Sequence, residues 1–356
     1  MLTHLRANLW LLVLTVVLCS MLYPAALWCV GQTLFHDKAQ GSLLDAKGQP
    51  ASDEKHAVGS QLIAQPFTQD EYFQPRPSAA SYNAAASAAS NYAGNNYLLR
   101  DRVARQLGPI VKYASGPKQG QLAAADVESW FQKDQFDGKP GIVAQWASLH
   151  SGVAGPWLHD WVKADKLQAA YVAAWEAANP DDVTKWKTDN DTSDPKPEDL
   201  AAGIAGSFFA SFSKDHPGTF PGIAEFEKDG KTAKTIGPVK EGSDIQSLFF
   251  DMWLQEHPDV ELQPVPADMV MSSGSGLDPH ITLKNALWQL ENRVAAAWAK
   301  KSGTSDEKKL HDQIEQLLRD KSHAPLGGLV GVPLVNVLEV NLALSDRYQK
   351  KAESEK

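Results

Sequence analysis

The chain has 356 residues, with 43 acidic against 34 basic side chains and a net charge of −9. That length provides for more than one core, and acidic residues spread along it exclude the basic face that general nucleic-acid binding needs. Both of its cysteines, Cys19 and Cys29, lie in one apolar run, so no disulfide staples the remainder.

That run, Leu9 to Val30, contains no charged residue. At about 1.5 Å per residue a helix over it crosses roughly 30 Å of hydrocarbon. A cleaved signal peptide is the rival, but its apolar core is usually only about 7–15 residues and ends at small side chains. Here the run ends Ala26-Leu27-Trp28-Cys29, so a retained single-span anchor over 1–31 is expected. Pro24 lies within the helix and predicts a kink. Arg6 and the α-amine precede the run, which places the N-terminus in the cytoplasm and the bulk of the chain outside it.

Gly59 to Phe73 alternates enough to predict one or two strands. Gln74 to Asn83 follows, where Pro75 and Pro77 hold the backbone extended. Leu98 to Val111 has helical spacing, with Leu99, Val103 and Leu107 on the inward face.

Composition shifts near Tyr113, and from there to about Ala267 the chain is rich in tryptophan. One pattern recurs in it: an aromatic, three residues, then Asn or His before proline. It appears at Trp175…Asn179-Pro180, Phe212…His216-Pro217 and Trp253…His257-Pro258. The pattern predicts helices that pack an aromatic residue and stop before proline, with the two His as helix-end caps, not ligands. Asp194-Pro195-Lys196-Pro197 predicts a loop.

After Pro266 the character changes again. Ser272 to Gly276 reads as a loop, and Asp278-Pro279 as the capped start of a helix. A second helix is expected over about Asp306 to Arg319, with Leu310, Ile314, Leu317 and Leu318 inward. Val335 to Leu342 alternates polar and apolar residues and predicts a strand or a final amphipathic element.

The sequence contains no GxxxxGK[ST] loop, no HExxH, no cysteine-based metal site and no GxSxG elbow. From the residues alone, the reading stops at an anchored protein without a recognisable catalytic motif.

Five blocks, in order, carry a resemblance: MLTHLRANLWLLVLTVVLCSMLYP, SQLIAQPFTQDEYFQPRPSAASYNAAAS, NNYLLRDRVARQLG, PADMVMSSGSGLDPHITLKNALWQLENRVA and PLVNVLEVNLAL. Together they strongly resemble the C subunit of the Kdp potassium-transporting ATPase, over roughly 1–112 and 268–345. The short form of that subunit lacks most of 113–267, so this segment reads as an insertion. One departure is Gly331-Val332-Pro333-Leu334, where the family has an acidic and a basic residue around the proline.

The resemblance implies a single-span inner-membrane protein with its soluble part outside the cytoplasm. Its partners would be the A (potassium-translocating), B (P-type ATPase) and F subunits, with no nucleic acid. It implies no catalysis by the chain itself and no tightly bound cofactor. The expected role is a catalytic chaperone that raises the ATP affinity of the B subunit, with ATP shared transiently. Gln289 matches a family glutamine implicated in nucleotide contact. The loop with Ser273, Gly274 and Gly276 loosely resembles an ABC signature loop. A membrane-anchored binding module using the Trp-rich insertion is the alternative.

The expected fold is an α+β soluble domain behind one transmembrane helix. Its segments are 32–112 and 268–356, two halves that share a core, with 113–267 as a mainly helical insertion. The blocks 59–73 and 332–342 are expected to meet in that core.

Overall fold

The computed structural model describes residues 2–228, 231–304 and 306–349. Mixed helices and small antiparallel sheets make up the fold. The chain divides into two compact units, 1–90 with 266–356 and 91–265.

The first unit begins with one helix, Leu2–Leu34, long and apolar enough to cross a membrane. Its middle turn, Val17–Leu22, is π-helical, directly before Pro24. Proline supplies no amide hydrogen and its ring crowds the preceding carbonyl, and a widened turn accommodates both.

Beyond the helix, Leu43–Leu44 pairs antiparallel with Gly59–Ser60. This is the whole strand content of the 59–73 block. Residues 61–90 have no helix or strand. The expected strands give way to a held, extended segment, because the backbone of 72–74 bonds to side chains and not to a ladder.

His280–Thr282 pairs antiparallel with Leu334–Asn336. The expected helix start at Asp278 is therefore displaced. Asp278 instead accepts the His280 amide within a turn, and the helix Leu283–Gln289 is capped by Thr282, whose hydroxyl accepts from the Asn285 amide. That helix continues through a π-helical turn, Leu290–Val294, into Ala295–Ser302. Glu307–Lys321 follows where a second helix is expected, with Asp306 as its cap, accepting from the Lys309 amide.

The final alternating block is both of its expected alternatives in turn. Leu334–Asn336 is a strand, and the Asn336 side chain then caps the helix Val337–Leu344. Phe73, Val335 and Val340 enter one apolar core with Leu290, Trp298 and Ile314, so the 59–73 and 332–342 blocks do meet in it.

The second unit is mostly helical around an aromatic core. Trp146 packs edge-on to Phe209 and Phe220 at 5.2 and 5.7 Å between ring centres. Ser151–Ala164 lies against Pro197–Asp215 so closely that a Cβ on Gly155 would sit 3.0 Å from the Ala202 carbonyl oxygen.

All three sites of the recurrent pattern are helix ends. Asn179, His216 and His257 follow helices ending at Ala178, Asp215 and Glu256, with near-identical backbone angles. The Asn179 side-chain amide donates to the Trp175 carbonyl at 2.8 Å, and His257 Nδ1 lies 2.7 Å from the Trp253 carbonyl. The His257 ring also stacks on Trp253.

Two features of this unit differ from the sequence reading. It contains an antiparallel hairpin, Phe220–Lys228 with Lys231–Val239, in a segment expected to be mainly helical. The helix Tyr97–Leu107 groups with 91–265, not with the first half, and buries Asp101 and Ala104 in place of the Leu99-Val103-Leu107 stripe. Asp101 is drawn inward by His150, whose Nδ1 lies 2.9 Å from its carboxylate.

Candidate functional site

The first unit threads one extended segment, 71–78, between the elements of its second half. Five successive attachments hold it. Lys301 donates to Glu71 at 2.6 Å. Arg293 donates to the Tyr72 carbonyl at 3.0 Å. The Asn341 side-chain amide accepts the Phe73 N–H and donates to its carbonyl, both at 2.9 Å. Gln289 does the same to Gln74, at 2.7 and 3.0 Å. Arg76 donates to the Met271 and Ser272 carbonyls at 3.3 and 3.1 Å.

Two side-chain amides thus replace the ladder that a neighbouring strand would supply. Each presents one acceptor and one donor at peptide-like spacing, which satisfies buried backbone groups without a strand. Gln289 and Asn341 are each 1 % exposed. The second Gln289 N–H goes to Asn285 Oδ1 at 2.9 Å, and its oxygen also accepts from Arg293 at 3.0 Å. The amide is therefore saturated by the protein: two bonds donated and two accepted.

The loop 272–278 closes on the same segment further along. Ser78 Oγ donates to the Gly276 carbonyl, and the Ala88 amide donates to the Ser275 carbonyl at 3.0 Å. Gly276 has φ +70°, and a Cβ there would fall 2.6 Å from the Ala88 carbonyl oxygen. Only glycine meets both demands. Ser273 is buried and accepts weakly from the Asp278 amide at 3.4 Å. Gly274 is exposed, with open space where its Cβ would be.

Asp278 anchors the rim of the loop. Its carboxyl is held below the usual range by the hydrogen bond from His280, helped by the His280 amide and the charges of His280 and Arg76.

Gln289 and the Ser273–Gly276 loop are thus joined through the 74–78 stretch that both touch. Sequence reading singled out neither Asn341, Arg293, Asn285 nor Arg76. For Asn341, Arg293 and Asn285 the signal is a polar residue set into an apolar helical pattern, as in Val337 to Leu344; Arg76, between two prolines, has none.

Among the described residues, Asp101, His150 and Asp251 form one close group of potential metal ligands in the second unit. Arg100 already donates to Asp251 at 2.7 Å.

An N-terminal apolar helix is followed by a unit of mixed helices and small sheets whose two stretches, 32–90 and 266–349, lock around one extended segment. The sequence model of one family, described as K+-transporting ATPase, c chain (KdpC), matches residues 5–127 and 245–346. That is more than half of the chain, and the chain belongs to the KdpC family. The match runs further inward at both edges than the blocks read from sequence.

Among curated relatives, the potassium-transporting ATPase KdpC subunit of Parvibaculum lavamentivorans is 39% identical over 119 residues, 33% of this chain and 60% of the relative. That of Pseudomonas putida is 40% identical over 116 residues, 32% and 60% respectively. That of Pseudomonas syringae pv. tomato is 42% identical over 114 residues, 32% and 56%. The chain thus spans between 56% and 60% of the length of these relatives.

Proposed function

We propose that this chain is the non-catalytic accessory subunit of an ATP-driven potassium uptake complex. It assembles with and stabilises the A, B and F subunits and, as a catalytic chaperone, raises the ATP affinity of the B subunit. The observation that supports this most is the 71–78 segment. It fastens 32–90 and 266–346, both family-matched, into one head behind an apolar helix, as a docking part on a tether requires.

In this reading the helix sits in the inner membrane and the head lies outside the cytoplasm. Its acidic charge then concentrates cations near the ion entrance. ATP is never tightly held by the chain. The influence on ATP affinity passes through the complex, because the Gln289 amide has no free bond to offer a nucleotide. Of the other candidate contacts, Ser273 and Gly276 build the loop, and Gly274 presents its accessible rim to a partner.

The binding-module alternative has less support. Trp130, Trp146, Trp161 and Trp253 of the insertion are buried, and a ring in a core cannot stack on a sugar.

Copurification tests the proposal. A tagged chain is expected to bring the A and B subunits out of solubilised membranes, and the ATP KM of the B subunit should be lower with the chain than without it. A chain that captures neither subunit sinks the reading. A reporter fused to the C-terminus fixes the side of the membrane: a cytoplasmic signal would overturn the external head and the indirect route together.

A further inference from the structure

The loop Pro325 to Pro333 carries a cluster of bare apolar side chains. Leu326, Leu329, Val330 and Val332 are 76%, 87%, 60% and 52% exposed. Single exposed apolar residues are ordinary, but a contiguous group on one loop marks a contact surface. No Asp, Glu, Lys or Arg occurs from Ala324 to Leu338. The backbone holds the loop open through left-handed residues at Leu326, Gly327, Gly328 and Gly331, so the apolar side chains do not fold back into the core.

The place of the loop within its unit points to the occupant. It runs directly into the strand Leu334–Asn336. Asn336 donates to the Gln61 carbonyl at 2.8 Å, and the Gln61 amide donates to the Ser42 carbonyl at 3.0 Å. Gln61 and Ser42 also line a cleft of about 270 Å³ with Leu34 and Phe35, the foot of the apolar helix. Two hydrogen-bonded steps therefore separate the base of the loop from the foot of the helix. Beside Gln61, Leu62 is exposed as well. An uncharged apolar tip rooted next to a membrane-spanning helix is held at high effective concentration over the bilayer surface.

We propose that the loop Pro325–Pro333 seats in the lipid interface beside the anchor, as a second membrane contact that orients the head. The inference rests on the anchor reading above. Its occupant is lipid, reached through Leu326, Leu329 and Val330.

The test uses the full-length chain in vesicles of phosphatidylcholine and phosphatidylglycerol, without partner subunits. In a Cys19→Ser, Cys29→Ser background, Leu329→Cys carries a polarity-sensitive fluorophore, and the vesicles carry a lipid with a shallow nitroxide quencher. A blue-shifted emission quenched at least twofold more than the same label at Lys308→Cys, on the exposed face of another helix, is expected. Adding Leu326→Asp and Val330→Asp should abolish that quenching.

A Leu329 label as wet as the Lys308 label overturns the proposal, and protection that appears only when partner subunits are added assigns the loop to a protein and overturns it equally. A label on native Cys29, at the end of the apolar run, in Cys19→Ser, reports the anchor separately. Quenched Cys29 with unquenched Leu329 removes the loop proposal alone; unquenched Cys29 removes both.

Discussion

Replacing Gln289 by Met keeps length and approximate volume and deletes the amide. The Gln74 N–H and carbonyl then lose the side chain that bonds both of them, while Arg293 keeps its bond to the Tyr72 carbonyl. An unsatisfied, partly buried backbone group costs about 1–1.5 kcal/mol, so the pair loses about 2–3 kcal/mol. Tenfold per 1.4 kcal/mol converts this into a roughly 30- to 150-fold rise in opening of the segment. Hydrogen exchange at the Gln74 amide reads that change directly, because this hydrogen is the one Gln289 accepts. Asn341→Leu should act in the same way on the Phe73 amide. The ATP KM of the assembled pump, measured well below the unfolding temperature, should stay within about twofold in Gln289→Met. Unchanged Gln74 exchange with a tenfold or larger rise in KM would refute the argument and make Gln289 a nucleotide contact.

Gly276→Ala should lower thermal stability by well over 1 kcal/mol, since its φ is +70° and a Cβ meets the Ala88 carbonyl, whereas Gly274→Ala should be close to silent; equal melting temperatures for the two would contradict the packing. His150→Ala removes the hydrogen-bond partner 2.9 Å from the buried Asp101 carboxyl and should cost about 1–3 kcal/mol in denaturant unfolding. Asp278 has a depressed pKa in the folded chain, so its contribution is present above the ordinary carboxylate pKa and is lost as pH falls through the lower, folded value. Asp278→Asn should therefore be less stable than the parent at pH 7, with the gap closing in strong acid; a gap constant with pH would count against the His280 bond. Val16→Asp in the apolar helix should cost about 2.5–3.5 kcal/mol of insertion, read as chain lost from the membrane fraction, and Val16→Leu should leave that fraction unchanged.

Local features were legible in the sequence and long-range ones were not. The apolar helix, the Asp306-capped helix and the three helix ends at Asn179, His216 and His257 each depend on residues within one turn of one another. The side-chain clamps join residues 268 and 215 positions apart. No local period records such a pair, and Asn341 looks from sequence like the solvent face of a strand. The strands Phe220–Lys228 and Lys231–Val239 are weakly marked in sequence, because Pro221, Gly222, Gly237 and Pro238 dilute the strand pattern on both sides. In the helix Tyr97–Leu107, counting only apolar residues found Leu107, which packs on the core, but not the most deeply buried positions, since these are Ala104 and the acidic Asp101 beside His150. For the candidate site, sequence and resemblance supplied Gln289 and the 273–276 loop. They did not show that the amide is spent on the chain's own backbone.

The clamp also sets a timetable for synthesis. Gln74 leaves the ribosome 215 residues before Gln289, an interval of roughly 10–40 s at about 5–20 residues per second. Throughout it, the backbone around Phe73 lacks both amides that will hold it. The stretch 91–265 is contiguous and emerges whole within the same interval, so it can complete its aromatic core first. The discontinuous unit, 1–90 with 266–356, is then the last to close, and it closes only after Asn341 has been made. A nascent chain stalled before Gln289 would carry a finished 91–265 unit while the 71–78 segment still lacked the side chains that hold it.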